Sequence, residues 1–164
     1  MDVRTTRFGE LETIVVSDEA ELTFAEGLPG FEEHTAFALM QDERLGPFGL
    51  LQSLVDPDVG FLVVEPAHFA EDYAFDLTDE DVARLELDES VAPLTLCILV
   101  IPGDVRTMTA NLRAPIVVNP TRRLAKQVIL ADDRYPLRHS VFTPSGEWNN
   151  IDRDEDGGAA DARP

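Results

Sequence analysis

Cysteine is all but missing from this chain: Cys97 is the only one in 164 residues, so no internal disulfide can form and the fold must hold without that staple. Its neighbours, Leu94-Thr95-Leu96-Cys97-Ile98-Leu99-Val100-Ile101, suggest a buried, inert thiol, which favours a reducing compartment. Long apolar runs are missing too. Those eight residues are the longest nearly apolar stretch, far short of the roughly 20 needed to span a bilayer. No charged-then-apolar signal segment follows Met1, so the expectation is a soluble, cytoplasmic protein without a membrane partner. Basic residues are scarce as well, 13 against 32 acids, for a net charge of −19. Such a protein repels phosphate backbones, because nucleic-acid affinity comes largely from Lys and Arg displacing counterions. Direct RNA or DNA binding is therefore not expected.

The usual chemical constellations are also lacking. His34, His68 and His139 are the only histidines, and none has a partner at metal-ligand spacing. There is no Gly-x-Ser-x-Gly elbow and no phosphate-cradling glycine loop. Asp56 and Asp58 flank Pro57, where aspartate is commoner as a turn residue than as an acid-base pair. The tail segment Asp152-Arg153-Asp154-Glu155-Asp156-Gly157 opens like a calcium loop, but position 12, which needs a bidentate carboxylate, is Arg163. We therefore expect no metal, no cofactor and no catalytic residues. The enzyme alternative is one whose carboxylates converge only in the fold.

What the chain does contain is charge in blocks and apolar residues in short runs. Residues 1–90 hold 23 acids and four arginines, whereas residues 105–142 hold seven basic residues and two aspartates. The acidic block would steer a basic protein partner towards it. The simpler reading is that acidity keeps the protein soluble. Apolar runs punctuated by Gly, Pro and Asp every eight to twelve residues predict an all-β domain, a compact antiparallel β-barrel-like fold of about ten short strands. The expected strands are 3–8, 11–16, 22–24, 36–40, 48–55, 60–65, 94–101, 107–112, 116–119 and 127–130. One short helix is expected over 79–85, capped by Thr78 and with Asp79, Glu80 and Asp81 at the positive end of its dipole. A turn of helix is also compatible with 66–73. The expected domain covers residues 1–142. Residues 143–164, rich in acids and glycine, bring too little apolar surface to offset an ordering cost of about 1 to 2 kcal/mol per residue. They are expected to form a mobile tail, docked at most through Trp148.

The densest stretch is 108–130, where Pro115 and Pro120 flank Ile116-Val117-Val118-Asn119. Proline cannot donate to a ladder, so this strand reads as a sheet edge. Arg122, Arg123 and Lys126 beside it either guard the edge against aggregation or help it receive a partner by strand addition or helix packing. Both readings stand on the residues alone.

The motifs in this stretch carry a family resemblance. Thr109-Ala110-Asn111-Leu112, Ala114-Pro115-Ile116-Val117-Val118-Asn119 and Lys126-Gln127-Val128-Ile129-Leu130 resemble the flagellar assembly factor FliW family. So do Phe8-Gly9-Glu10, Gly27-Leu28-Pro29-Gly30-Phe31, the segment Leu51-Gln52-Ser53-Leu54-Val55-Asp56-Pro57-Asp58, and residues 132–139. The likeness spans roughly residues 4 to 139. Arg113 and Pro120 depart from it, and the chain after Phe142 has no counterpart. The resemblance implies a non-enzymatic protein, monomeric when free, that binds newly made flagellin. It also implies antagonism of CsrA, the RNA-binding translational repressor of flagellin synthesis, away from the RNA surface and with one FliW on each half of a CsrA dimer. A flagellin chaperone without a CsrA role is the milder alternative. The expected partner surface comprises Asn111, Leu112, Pro115, Val118, Asn119, Arg122 and Gln127.

Overall fold

The computed structural model describes residues 1–131 and 133–150. Eleven strands carry the fold: β1 (Asp2–Thr5), β2 (Glu12–Val15), β3 (Glu21–Phe24), β4 (Ala36–Met40), β5 (Gly49–Ser53), β6 (Gly60–Val64), β7 (Leu94–Val100), β8 (Thr109–Ala110), β9 (Ile116–Asn119), β10 (Leu124–Gln127) and β11 (His139–Ser140). The one α-helix among the described residues is α1 (Asp79–Arg84). Thr78 accepts a hydrogen bond from the Asp81 amide at its start, as the sequence predicts, and residues 66–68 make a single 3-10 turn.

Strands β3, β4, β5, β6 and β7 pair in sequence, β10 and β9 continue from β3, and β9 returns to β7, closing a seven-stranded barrel. All of these pairings are antiparallel except β3 with β10. The exception is forced by parity, since strands that alternate up and down cannot close a ring of odd number. The expected antiparallel barrel-like fold is thus present with one parallel seam, which joins Thr23 and Phe24 to Leu124 and Ala125.

Alternation sorts the side chains. One apolar cluster takes a residue from every strand of the ring, including Leu22, Phe37, Leu51, Val63, Leu96, Ile116, Val118 and Ala125, and so fills the barrel. The opposite faces are covered from outside. Hairpin β1–β2 lays Val3 over Ala38, Met40 and Leu50. The chain between β6 and β7, together with residues 128–148, covers Val64, Cys97, Leu99, Ala110 and Val117 through Phe69, Leu85, Tyr135 and Val141. Cys97 is fully buried there, and desolvation pushes its thiol up to about 12, in keeping with an inert side chain.

Two of the family-like motifs have a physical cause. Gly27 has φ +66°, and a Cβ there would lie 2.6 Å from the Glu32 backbone, so only glycine fits. It aims Leu28 into the barrel and Phe31 against Phe61. In the other motif the buried Gln52 donates from Nε2 to the carbonyls of Asp56 at 3.1 Å and Val59 at 2.9 Å. The Ser53 hydroxyl accepts from the amides of Val55 and Asp56. Together they fix the turn between β5 and β6.

Three expectations shift. The strand expected at 127–130 begins at Leu124, because the β9–β10 turn is tight and closes with Arg123 at φ +61°. Strand β11 carries too little apolar sequence to be seen in advance. The expected domain boundary at 142 falls inside a strap. Thr143 donates to the Glu147 carbonyl, Asn149 donates to that of Val141, and Phe142 bridges Trp148. Trp148 packs on Phe48, Phe142 and His68. The remainder of the expected tail, 151–164, including the calcium-like segment at 152–157, lies outside the described residues.

Candidate functional site

Strand β9 is not an edge. It pairs antiparallel with β10 on one side and with β7 on the other, so its proline flanks mark where the ladder begins and ends. This corrects the edge reading and changes what the seven expected contact residues can do. Leu112 and Val118 are buried in the outer and inner clusters, at 0% and 2% exposure. Pro115 is buried too. None of these three side chains is presented to a partner.

The polar members hold the backbone. Asn119 is fully buried. Its Nδ2 donates to the carbonyls of Leu85 at 2.8 Å and Glu86 at 3.1 Å, while its Oδ1 accepts from the amides of Thr121 and Arg122. It thereby ties the end of α1 to the β9–β10 turn and stabilises Glu86 at φ +52°, a conformation that costs a non-glycine residue. Asn111 accepts from the amides of Arg113 and Ala114, and Gln127 donates to the Ala114 carbonyl. Of the seven, Arg122 is exposed, and Asn111 and Gln127 are half-buried.

The basic cluster is matched by acids from the acidic block, residues 1–90. Arg122 faces Glu86 at 3.6 Å, and Arg123 pairs with Glu19 at 3.0 Å. Lys126 lies 3.0 Å from Glu26 and 3.1 Å from Asp81. Glu26 also meets Arg84. Hydrogen bonding to Lys126 lowers the Glu26 carboxyl below its usual range and, reciprocally, Glu26 raises the lysine. Arg113, which departs from the family pattern, donates from Nε to the Tyr135 carbonyl at 3.0 Å. Arg123 and Lys126 brace the barrel beside its parallel seam.

His34 stands apart, whereas His68 and His139 flank one aromatic stack through Trp148 and Phe69. His34 bonds to Ser53, His68 stacks on Trp148, and His139 bonds through Nε2 to the Asn149 carbonyl at 2.7 Å. Asp56 accepts from the Asp58 amide at 2.9 Å, a turn role. Among the described residues no group of three or more His, Cys, Asp or Glu is placed to hold a metal, and no helix is long and apolar enough to cross a membrane.

The surface feature that the sequence does not announce is an apolar cleft of about 400 Å³. Its floor is the outer face of β5, β6 and β7, where Leu50 pairs across to Leu62 and Leu99 lies on the next strand. Arg7, Phe8, Leu45 and Ile101 form its walls. The Arg44 guanidinium stacks 3.6 Å above the Phe8 ring and pairs with Glu12 and Asp42, holding the Asp42 carboxyl at about 2. Ile101 is 40% exposed and its neighbour Val100 57%. The signal in the sequence is faint: the aliphatic run of β7 ends at Val100 and continues by one residue, Ile101, to Pro102.

The family model for FliW protein matches residues 2–141. A flagellar assembly factor FliW of Caldicellulosiruptor saccharolyticus is 41% identical over 140 residues, covering 85% of this chain and 90% of that one. One of Thermotoga petrophila is 41% identical over 138 residues, covering 84% and 91%. A crystal structure of the flagellar assembly factor FliW superposes with a TM-score of 0.76 at 33% identity, covering 87% of this chain and 98% of that one. With its motifs explained by the seven-stranded barrel and its relatives aligned over nearly their whole length, the chain belongs to the FliW family.

Proposed function

We propose that this protein serves flagellar assembly by stoichiometric protein binding in the cytoplasm, without catalysis. It would hold newly made flagellin and, when flagellin is drained by secretion, bind CsrA and release the flagellin message. The observation that carries this reading is membership of the FliW family over residues 2–141. Two physical features support it. The net charge of −19 suits a protein that engages an RNA-binding partner while repelling RNA. The histidines and the carboxylate turn named above are occupied in holding structure. Around the β9–β10 seam, partner contact falls to Arg122, with Asn111 and Gln127 at its margin. Leu112, Pro115, Val118 and Asn119 support that surface from beneath.

The test is calorimetric titration with flagellin and, separately, with CsrA from the same genome, followed by competition. Tight binding to both, with flagellin displacing CsrA, is the expected result. Binding to flagellin alone would reduce the role to a chaperone. Silence from both would overturn the reading and return attention to the carboxylates.

A further inference from the structure

We infer that Lys126 is a modification site: acylation of its side-chain amine by an acyl phosphate releases a charged latch and lets the barrel open at its parallel seam. The inference goes beyond partner binding and does not depend on which partner is bound.

The sequence isolates the residue. Lys126 is the only lysine in the chain, and the rest of its 13 basic residues are arginine. Arginine stays protonated at any physiological pH, whereas a lysine amine can lose its proton and take an acyl group. Side-chain acylation of this protein therefore falls on one atom, Lys126 Nζ.

The fold puts that atom where its charge matters. The seam is two register pairs long, Thr23 with Leu124 and Phe24 with Ala125, and parallel pairing is slightly less stable per residue than antiparallel. The antiparallel β6–β7 joint, also two pairs long, lies under the outer cluster through Val64 and Cys97. At the seam, by contrast, Thr23 is exposed and Leu124 half-buried, and ion pairs close both ends. Arg123, just before Leu124, meets Glu19, which precedes β3. Lys126, just after Ala125, meets Glu26, two residues beyond Phe24, and also Asp81 of α1.

The two ends are not equivalent. The Arg123 and Glu19 side chains are 38% and 82% exposed, so water and salt weaken that pair. Those of Lys126 and Asp81 are 21% and 10% exposed. Among the described residues Lys126 is the cation paired with Asp81, and neutralising it leaves a buried carboxylate without a counter-charge, which is strongly unfavourable. Glu26 would keep Arg84, but α1 and the end of β3 would lose their common tie to β10.

The chemistry follows from the amine. Once the ammonium gives its proton to solvent, the Nζ lone pair attacks the carbonyl carbon of the acyl phosphate. The C–N bond forms, the C–O bond to phosphate breaks, and inorganic phosphate leaves. Three charged donors become one neutral amide N–H. Hydrogen bonding with Glu26 raises the Lys126 pKa, so the free amine forms chiefly when the latch is apart, and acylation then keeps it apart.

The test uses the full folded chain with acetyl phosphate as the probe, peptide mapping to locate the acetyl group, and hydrogen–deuterium exchange read by mass spectrometry. Lys126 is expected to be acetylated in the folded protein, more slowly than in urea. In the acetylated protein, and in Lys126→Gln, amides of residues 22–25 and 123–127 should exchange about tenfold faster than in wild type, with those of β5 changed less than about twofold. Lys126→Arg, which keeps the charge and takes no acyl group, should exchange as wild type does. If Lys126→Gln does not fold, the wild-type chain acetylated after folding carries the comparison. The inference is overturned if Lys126 reacts only in urea, if the acetylated seam exchanges at the wild-type rate, if β5 accelerates as much as the seam, or if Lys126→Arg opens the seam as Lys126→Gln does.

Discussion

Asn119 shows how a residue can be placed correctly on the chain and assigned to the wrong side of the surface. A polar side chain at the end of an apolar strand, next to prolines and arginines, reads as exposed, because sequence polarity does not record what lies above it. Here the cover is α1, whose last carbonyls need donors, and Asn119 supplies them across 33 and 34 residues of chain. Asn111 and Gln127, half-buried, likewise bond to backbone groups of a neighbouring turn. The Thr78 cap, by contrast, is legible because donor and acceptor are three residues apart. Asn119→Ala removes four hydrogen bonds and strands buried carbonyls and amides, a loss of about 3 kcal/mol at roughly 1 kcal/mol for each net bond, less what water recovers. Urea unfolding should report that decrease with an unchanged m-value. A cost below about 1 kcal/mol would mean the turn and helix end do not depend on this side chain.

At the scale of elements, strands with a strong apolar pattern were found to within a few residues, and the elements missed are those held by side chains rather than by pattern. The strap at 141–150 is the clearest case. Its sequence is polar except for Val141, Phe142 and Trp148, yet it packs through an aromatic group formed with Phe48, Phe69 and His139. Trp148→Ala is expected to cost about 2 kcal/mol, below the range for a fully buried tryptophan because the ring is partly exposed. Ending the chain after Phe142 should lower the thermal midpoint as far as Trp148→Ala does. The strap also carries a pH dependence. Burial lowers the His139 pKa below its ordinary value near 6.5, so the unfolded chain takes up the proton more readily. Its stabilising contribution is complete above about pH 6.5 and is lost as pH falls towards the depressed folded value. Between pH 7.5 and 5.0 the wild-type midpoint should therefore fall further than that of His139→Gln. Equal slopes would remove His139 from the account.

For the whole molecule, composition and punctuation reveal a barrel but not how it closes. Strands β3 and β10 are about 100 residues apart, and nothing local says that they pair, or that they pair in parallel. The charge blocks contain part of the missing information. Arg122, Arg123 and Lys126 meet acids of the acidic block 1–90 at Glu86, Glu19, Glu26 and Asp81, so the basic stretch lies across the acidic one. Exposed pairs of this kind contribute little stability individually, but they leave the molecule without a free basic face at this seam, and the net −19 acts on whatever approaches. A basic partner should then associate at a rate set by long-range attraction and dissociate at a rate set by the apolar contact. Raising ionic strength from about 0.05 to 0.5 M shortens the screening length from roughly 14 to 4 Å. In stopped-flow mixing with the basic partner, the association rate should fall tenfold or more while the dissociation rate changes less than about twofold. An association rate indifferent to salt would show that the acidic block serves solubility alone, without electrostatic steering.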